Sequence, residues 1–198
     1  MEKLDLAKTH KDLYTARQTV KEVKAESGTY LYVDGKGEPG GAAYTGAFQQ
    51  LYPVVYTLKY GHKAVGDFDF TVGKVECLWY DDPAKVSKKQ WRWRLMIRVP
   101  DAITKAEVEK TKKQITAEKE VDVGSVQHGK LKEGRCLQVM HVGPYEKENE
   151  TYAKLHAHAA EAGLTLNGPA HEIYLSDPRR TAPEKLKTII RFPVKKAA

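Results

Sequence analysis

Residues 75–83 read Val-Glu-Cys-Leu-Trp-Tyr-Asp-Asp-Pro, and residues 171–178 repeat the pattern as His-Glu-Ile-Tyr-Leu-Ser-Asp-Pro. A basic, alternating stretch that ends in proline follows each copy, first at 91–100 and then at 187–193. The shift between the copies is 96 residues from Glu76 to Glu172 and 95 residues from Pro83 to Pro178. Because an internal repeat fixes the architecture, we expect two half-domains related by a pseudo-twofold axis, with a groove between them.

Hydrophobic periodicity predicts the same order of elements in both halves. Strands are predicted at 29–33, 74–80, 91–99, 135–140, 170–175 and 186–194. Helices are predicted from Ala43 onward, at 101–120 and at 146–162. Each half therefore reads strand, helix, strand, strand. This order predicts an α+β fold with an antiparallel sheet, helices on one side of the sheet and a central groove.

The length of 198 residues fits a single domain over 1–198. The half-repeats span about 19–120 and 135–195, and the polar residues 1–18 are expected to form an N-terminal arm. A stretch rich in Gly, Lys and Asp at 121–134 is predicted to connect the halves. Pro53 lies inside the first long helix and lacks a backbone donor, so a kink or a restart is expected there.

Composition limits the classes of protein to consider. Hydrophobic residues make up 41% of the chain, which suffices for a core, yet no apolar run is long enough to cross a bilayer. The N-terminus lacks an apolar signal core, and two distant cysteines lack metal or redox spacing, so a reduced cytoplasmic protein is expected. The net charge of +7 comes from mixed-sign stretches, which favour a solvated surface over direct nucleic-acid binding.

Two local motifs suggest cofactor or metal sites, but neither satisfies the chemistry. The stretch Gly35-Lys-Gly-Glu-Pro-Gly has G-x-G-x-x-G spacing, although its glutamate and proline oppose a pyrophosphate, so a glycine turn is expected. His156 and His158 are two residues apart on a predicted helix and therefore point to different sides. We expect neither a cofactor nor a metal site.

The repeated strands carry the residues that suit a ligand site. Glu172 and Tyr174 share one face of their strand, because side chains alternate. If the halves pair around a twofold axis, Glu76 and Glu172 are expected to face a common groove lined by aromatic residues. A carboxylate among aromatic rings binds a cation or activates water. The alternative is that both glutamates are structural, bonded to backbone amides or arginines.

A second acidic cluster opens the second-half helix, with Glu146, Glu148 and Glu150. Capping of the helix is one interpretation. The other pairs Glu148 with Glu172, so that one carboxyl group activates water and the other orients it or protonates a leaving atom. His141, in the turn before this helix, remains a further ligand-binding candidate. The predicted aromatic walls are Tyr56, Trp79, Trp93, Tyr145 and Tyr174, although strand alternation points Trp79 away from Glu76.

These motifs resemble the GyrI-like small-molecule-binding superfamily. The resemblance is carried in order by 11–14, 32–39, Leu51-Tyr, 56–59, 75–80, Trp91-Arg-Trp, His141-Val-Gly-Pro-Tyr with Glu148, 171–180 and 187–194. It implies a duplicated strand-helix-strand-strand fold. Members include effector domains of multidrug-responsive transcription regulators, a DNA gyrase inhibitor and stand-alone proteins. This chain resembles the stand-alone branch, because residues 1–28 are too few for a helix-turn-helix domain.

Members of that branch are described as cyclopropanoid cyclopropyl hydrolases, which detoxify DNA-alkylating natural products by adding water to a strained ring. The resemblance implies that Glu172 and Glu148 are the catalytic residues, and that no cofactor is needed. A first hypothesis is therefore a hydrolase of reactive aromatic compounds, as a monomer or a dimer. A second is a non-catalytic binding or sensor module for lipophilic or cationic aromatic compounds. A third is an interaction protein that binds a macromolecule such as gyrase.

Overall fold

A computed structural model describes residues 3–119 and 121–197. The strands are β1 (Lys3–Leu4), β2 (Lys21–Ala25), β3 (Gly28–Lys36), β4 (Asp69–Phe70), β5 (Val75–Trp79), β6 (Arg92–Val99), β7 (Gln127–Leu131), β8 (Gly134–Val142), β9 (Leu164–Leu166), β10 (Ala170–Tyr174) and β11 (Lys187–Lys196). The α-helices are α1 (Leu6–Thr9), α2 (Lys11–Tyr14), α3 (Ala42–Ala64), α4 (Lys105–Lys119) and α5 (Glu148–Glu161).

The large sheet is antiparallel, and its order is β2-β8-β11-β10-β5-β6-β3-β7, with β9 pairing to the end of β11. The order is symmetric about the central pair β10–β5. On one side β3, α3, β5 and β6 give strand, helix, strand, strand, and on the other side β8, α5, β10 and β11 do the same. The predicted α+β fold is confirmed. The flanking strands cross over, because β2 pairs with β8 of the second half and β7 pairs with β3 of the first.

Helix α3 packs on the first-half strands through the apolar stripe that its sequence predicts. Ala47, Leu51 and Val55 are almost fully buried against β3 and β6 residues. The helix continues through Pro53 to Ala64, so the predicted restart is wrong. Helix α5 covers the second half in the same way, with Leu155 buried against β8 and β11. Both helices lie on one face of the sheet, which places the cleft between them.

Helix α4 begins with a reciprocal cap. The Thr104 hydroxyl accepts from the Glu107 backbone N–H at 3.2 Å, and the Glu107 carboxylate accepts from the Thr104 backbone N–H at 2.7 Å. This capping box satisfies donors that the first helical turn leaves free. The helix then packs on α3. The predicted end at residue 120 lies outside the described residues, and the predicted connector at 121–134 contains strand β7.

The predicted arm at 1–18 is more ordered than its polar composition suggests. Beyond residues 1–2, which lie outside the described part, it forms β1, α1 and α2. Leu13 and Tyr14 are buried against Val23 and Ile189 on the face of the sheet opposite α3 and α5. The expectation of helices on one side therefore holds for α3 and α5 but not for these two short helices.

Candidate active site

A solvent-open cleft of about 2490 Å³ lies between α3 and α5, above the central strands β5 and β10. Its floor is formed by Trp79, Glu172 and Tyr174. Its walls are formed by Tyr44, Phe48 and Tyr52 of α3 and by Tyr145, Glu148 and Tyr152 at the start of α5. The pseudo-symmetric pairing of the halves thus produces the groove, and the aromatic residues give it flat apolar walls.

Glu172 is held at the floor by three donors from three elements. The Trp79 indole Nε1 donates to Glu172 Oε2 at 2.9 Å, and the Tyr174 hydroxyl donates to the same oxygen at 2.8 Å. The Tyr152 hydroxyl of α5 donates to Oε1 at 2.5 Å. Only 6% of Glu172 is exposed. These contacts fix the orientation of the carboxylate, because a buried charge is tolerated only when it is hydrogen-bonded.

Glu148 is the second carboxyl group of the cleft. It begins α5, and only 8% of it is exposed. Burial, and then the negative charge of Glu172, raise the pKa of Glu148 well above its ordinary value, while the hydroxyl of Thr188 lowers it. Glu148 therefore keeps its proton at neutral pH beside the Glu172 carboxyl group. A carboxylic acid held next to a second carboxyl group is an arrangement that general acid–base chemistry uses.

The aromatic rings around the pair are packed into a continuous surface. Tyr44 stacks on Trp79 with ring centroids 5.7 Å apart, and it contacts Phe48 edge-on at 5.4 Å. Across the cleft, Tyr145 contacts Tyr174 edge-on at 6.0 Å. Because burial and the Glu172 charge also raise the pKa of Tyr152 and Tyr174, these phenols remain protonated donors. The surface suits a flat apolar ligand.

The expectation that Glu76 faces the cleft is wrong, and strand register gives the reason. In the antiparallel pairing of β5 with β10, Glu172 lies opposite Cys77 and Ile173 lies opposite Glu76. Glu172 therefore shares its face with Cys77 and Trp79. Residues of the two copies that are 95 positions apart, as Pro83 and Pro178 are, lie on the same face of the sheet. The two glutamates are 96 positions apart, so their side chains lie on opposite faces.

Glu76 belongs instead to a buried charged network on the reverse face. His171 lies between two carboxylates, with its Nε2 2.8 Å from Glu76 Oε2 and its Nδ1 3.0 Å from Glu133 Oε2. Arg191 Nη1 is 3.1 Å from the same Glu133 oxygen, and the Tyr14 hydroxyl donates to Glu76 Oε1 at 2.6 Å. We call this group, Tyr14, Glu76, Glu133, His171 and Arg191, the reverse-face network.

Three more predicted ligand-binding residues lie outside the cleft. Trp93 is 1% exposed and packs behind Tyr44, with its indole N–H donating to the Gly37 carbonyl at 3.1 Å. Tyr56 lies one turn beyond the cleft residue Tyr52 on α3, stacked between Tyr52 and Tyr60 and exposed to solvent outside the cleft lining. His141 is buried, with Nδ1 2.8 Å from the Thr151 hydroxyl, and it ties β8 to α5. These side chains shape the structure around the cleft without lining it.

The glycine turn predicted at 35–40 is wrong for its first two residues, because strand β3 continues to Lys36. A Cβ atom on Gly35 would lie 2.2 Å from Cη2 of Trp93. The glycine thus makes room for the indole, as expected where a side chain approaches the backbone closely.

Sequence reasoning missed Tyr152, Tyr44 and Thr188. Tyr152 is four residues after Glu148 on the same helix, and residues at this spacing lie on one helix face, so the proposed role of Glu148 was a usable signal for it. Tyr44 belongs to the apolar side of α3, which indicates burial against the sheet and not a place in the cleft wall. Thr188 lies in a strand whose alternation does not indicate contact with α5.

The residues that the structure describes contain no group of three or more His, Cys, Asp or Glu side chains arranged to hold a metal ion. Among them, no helix is both long and apolar enough to cross a membrane.

A model described as the GyrI-like small molecule binding domain matches residues 18–195. Two crystal structures from Listeria innocua are each 36% identical to this chain and cover 98% of it and 100% of their own chains. One is described as a hydrolase and has a TM-score of 0.89, and the other is described as an uncharacterized conserved protein and has a TM-score of 0.92.

The C-terminal domain of EcmrR is 16% identical, with a TM-score of 0.59, and covers 90% of this chain and 97% of its own. At that identity the likeness concerns the fold. No curated protein matches. The family model spans nearly the whole chain, and the cleft lies where its two halves meet. The chain therefore belongs to the GyrI-like small-molecule-binding domain family.

Proposed function

We propose that the protein is a cofactor-independent hydrolase that adds water to electrophilic cyclopropane rings of aromatic, DNA-alkylating compounds. The observation that carries the proposal is the buried pair Glu148 and Glu172 beside aromatic walls, in which burial and the charge of Glu172 keep the proton on Glu148. A Listeria innocua protein that is 36% identical and described as a hydrolase gives further support.

The proposed reaction uses both carboxyl groups and returns each to its starting protonation state. The oxygen of water bonds to the cyclopropane methylene carbon while Glu172 takes one proton from that water. The carbon–carbon bond of the strained ring breaks, and its electron pair moves through the conjugated ring to the carbonyl oxygen. Glu148 gives its proton to that oxygen, directly or through one water, so a phenol forms. A proton then passes from Glu172 to Glu148 and restores the starting state.

The walls contribute binding and position. Tyr44, Trp79 and Tyr174 line the cleft next to Glu172, and Tyr44 stacks on Trp79. A planar ring held there brings its reacting carbon close to the carboxylate, and such positioning supplies a large part of a catalytic effect. The strained ring conjugated to a carbonyl is already electrophilic, so the chemistry requires only a positioned, deprotonated water.

The test uses a spirocyclopropyl cyclohexadienone as the probe. Purified protein is expected to consume its dienone absorbance, and mass spectrometry is expected to show a product that has gained one water. Glu172→Gln should lower turnover about a hundred- to ten-thousand-fold, as loss of a general base does, while fluorescence titration still shows binding. Glu150→Gln is the matched control, because Glu150 is exposed on the first turn of α5. Equal turnover by wild type and Glu172→Gln would exclude this role for Glu172.

A non-catalytic binding module for lipophilic or cationic aromatic compounds is the second candidate. It is favoured by the three hydrogen bonds that Glu172 already accepts, because a carboxylate so engaged has less capacity to take a proton from water. In that case Glu172 acts as a counter-charge for a bound cation. Saturable binding of the probe without any hydrated product would establish this function instead.

A further inference from the structure

Thr188 lies behind Glu148, outside the cleft lining. In the register of the sheet, Thr188 of β11 is opposite Tyr174 of β10 on one side and His141 of β8 on the other. It therefore faces the same side of the sheet as the cleft residues, and helix α5 covers it. Only 1% of Thr188 is exposed, so a ligand in the cleft does not reach it.

Two polar atoms at this place are buried and lack hydrogen-bond partners. Over residues 3–119 and 121–197, Glu148 Oε1 and Thr188 Oγ1 make no aligned hydrogen bond. The two groups nevertheless lie close together, because Thr188 is opposite His141 in the sheet, the His141 ring bonds the Thr151 hydroxyl of α5 at 2.8 Å, and Glu148 lies one helical turn before Thr151. The Thr188 hydroxyl also lowers the pKa of the Glu148 carboxyl and so opposes the effect of burial. An unpaired buried oxygen is unfavourable, and a hydrogen bond between the two groups would satisfy both.

We propose that Thr188 is the positioning residue for Glu148, and that its hydroxyl donates a hydrogen bond to the Glu148 carboxylate formed when this acid releases its proton. This inference rests on the proposed function, in which Glu148 is the acid. It assigns a role to a buried side chain that does not line the cleft.

The surroundings of Glu148 explain why one donor matters. The groups that face its carboxyl are Glu172 from β10, Glu146 before α5, and the phenols of Tyr145 and Tyr152. Both acidic neighbours oppose ionisation of Glu148, and Tyr152 already donates to Glu172. The Thr188 hydroxyl is the group that supports the ionised form.

The test compares Thr188→Val, which replaces the hydroxyl by a methyl group of similar size, with Thr188→Ser, which restores the hydroxyl. The infrared absorption of the protonated Glu148 carboxyl, identified as the band lost in Glu148→Gln, is followed against pH. In Thr188→Val the band should persist to a pH about one unit higher or more, as expected for loss of a hydrogen bond to a charged group. Thr188→Ser should titrate like wild type. Thr111→Val, which removes a buried hydroxyl in α4, is the control.

Turnover of the cyclopropanoid probe gives the second readout. Thr188→Val should lower kcat about tenfold or more with KM unchanged, because Thr188 does not line the cleft, and Thr188→Ser should recover most of the loss. An unchanged infrared titration in Thr188→Val overturns the inference whatever the activity. A shifted titration with unchanged kcat overturns the catalytic part of the role. A shifted titration in a protein that turns over no probe supports the hydrogen bond and counts against the proposed hydrolase.

Discussion

The reverse-face network predicts that the protein loses stability as pH rises from neutral to moderately alkaline values. His171 is fully buried between Glu76 and Glu133. Burial by itself would lower the pKa of His171, but the charges and hydrogen bonds of Glu133 and Glu76 outweigh it and raise the pKa from 6.5 to about 9. The imidazolium is thus retained in the folded protein at pH values where the unfolded chain has lost it.

The size of the effect follows from proton linkage. Below pH 6.5, His171 is charged in both states, and its contribution to stability is fully present. As pH rises toward about 9, His171 holds a proton in the folded protein that it has lost in the unfolded chain, so His171 alone lowers the free energy of unfolding by about 1.4 kcal/mol per pH unit. The proton that buried Glu148 retains adds a fall of the same sign, so a variant of the reverse-face network is needed to isolate the His171 part. The loss due to His171 is about 3 kcal/mol, a large part of the roughly 5–15 kcal/mol that stabilises a typical domain.

Urea denaturation followed by tryptophan fluorescence, at a series of pH values between about 6 and 10, measures this loss. His158→Gln is the matched control, because His158 is exposed on α5 and should not change the profile. A second variant, Glu133→Gln, removes the charge that contributes most to raising the pKa of His171. It should destabilise the protein at neutral pH and flatten the alkaline fall.

A free energy of unfolding that stays constant to pH 9 in wild type would refute the charged state assigned to His171. A fall of equal slope in wild type and Glu133→Gln would also refute it, because the loss would then come from other groups.

Three further substitutions test the packing of α3, the packing of Trp93 and the reverse-face network. Gly46→Ala in α3 should raise the free energy of unfolding by about 0.5–1 kcal/mol, because a Cβ there meets no atom within 4 Å. Gly35→Ala should lower the free energy of unfolding by about 1–3 kcal/mol, because the added Cβ displaces Trp93. Equal effects of the two substitutions in urea denaturation would contradict this packing. Tyr14→Phe should cost about 1–3 kcal/mol by leaving the buried Glu76 carboxylate without its donor, and the same change at an exposed tyrosine of α3 should be nearly neutral.

The sequence was sufficient for the fold because the relevant signals are local. The repeat around Pro83 and Pro178 indicated two equivalent halves, and alternation within each strand gave the correct face for Tyr174 relative to Glu172. It also correctly placed Trp79 opposite to Glu76. The structure of the N-terminal segment was harder to predict, because its polar composition gives no sign that Leu13 and Tyr14 are buried.

Predicting which residues line the cleft requires the pairing of the strands and the placement of the helices, which the sequence alone does not provide. Whether Glu76 or Cys77 shares a face with Glu172 depends on a one-residue difference in how the two copies align, and only the pairing of β5 with β10 decides it. The sequence pattern predicts Trp93 and His141 as cleft residues, but in the folded protein neighbouring residues cover both side chains. Tyr152 and Thr188 become visible as partners only once α5 is placed over the sheet.

Adjacent residues on β10 connect the two faces of the molecule. His171 enters the reverse-face network, and Glu172 enters the cleft. A slip of one residue in the pairing of β10 would move His171 into the aromatic cleft and Glu172 toward Glu76 and Glu133, where like charges would meet without solvent. The network can contribute to specificity of register even where a buried ion pair adds little net stability. We therefore interpret Glu133 and Arg191 as residues that fix the position of the Glu172 carboxylate from the opposite side of the sheet.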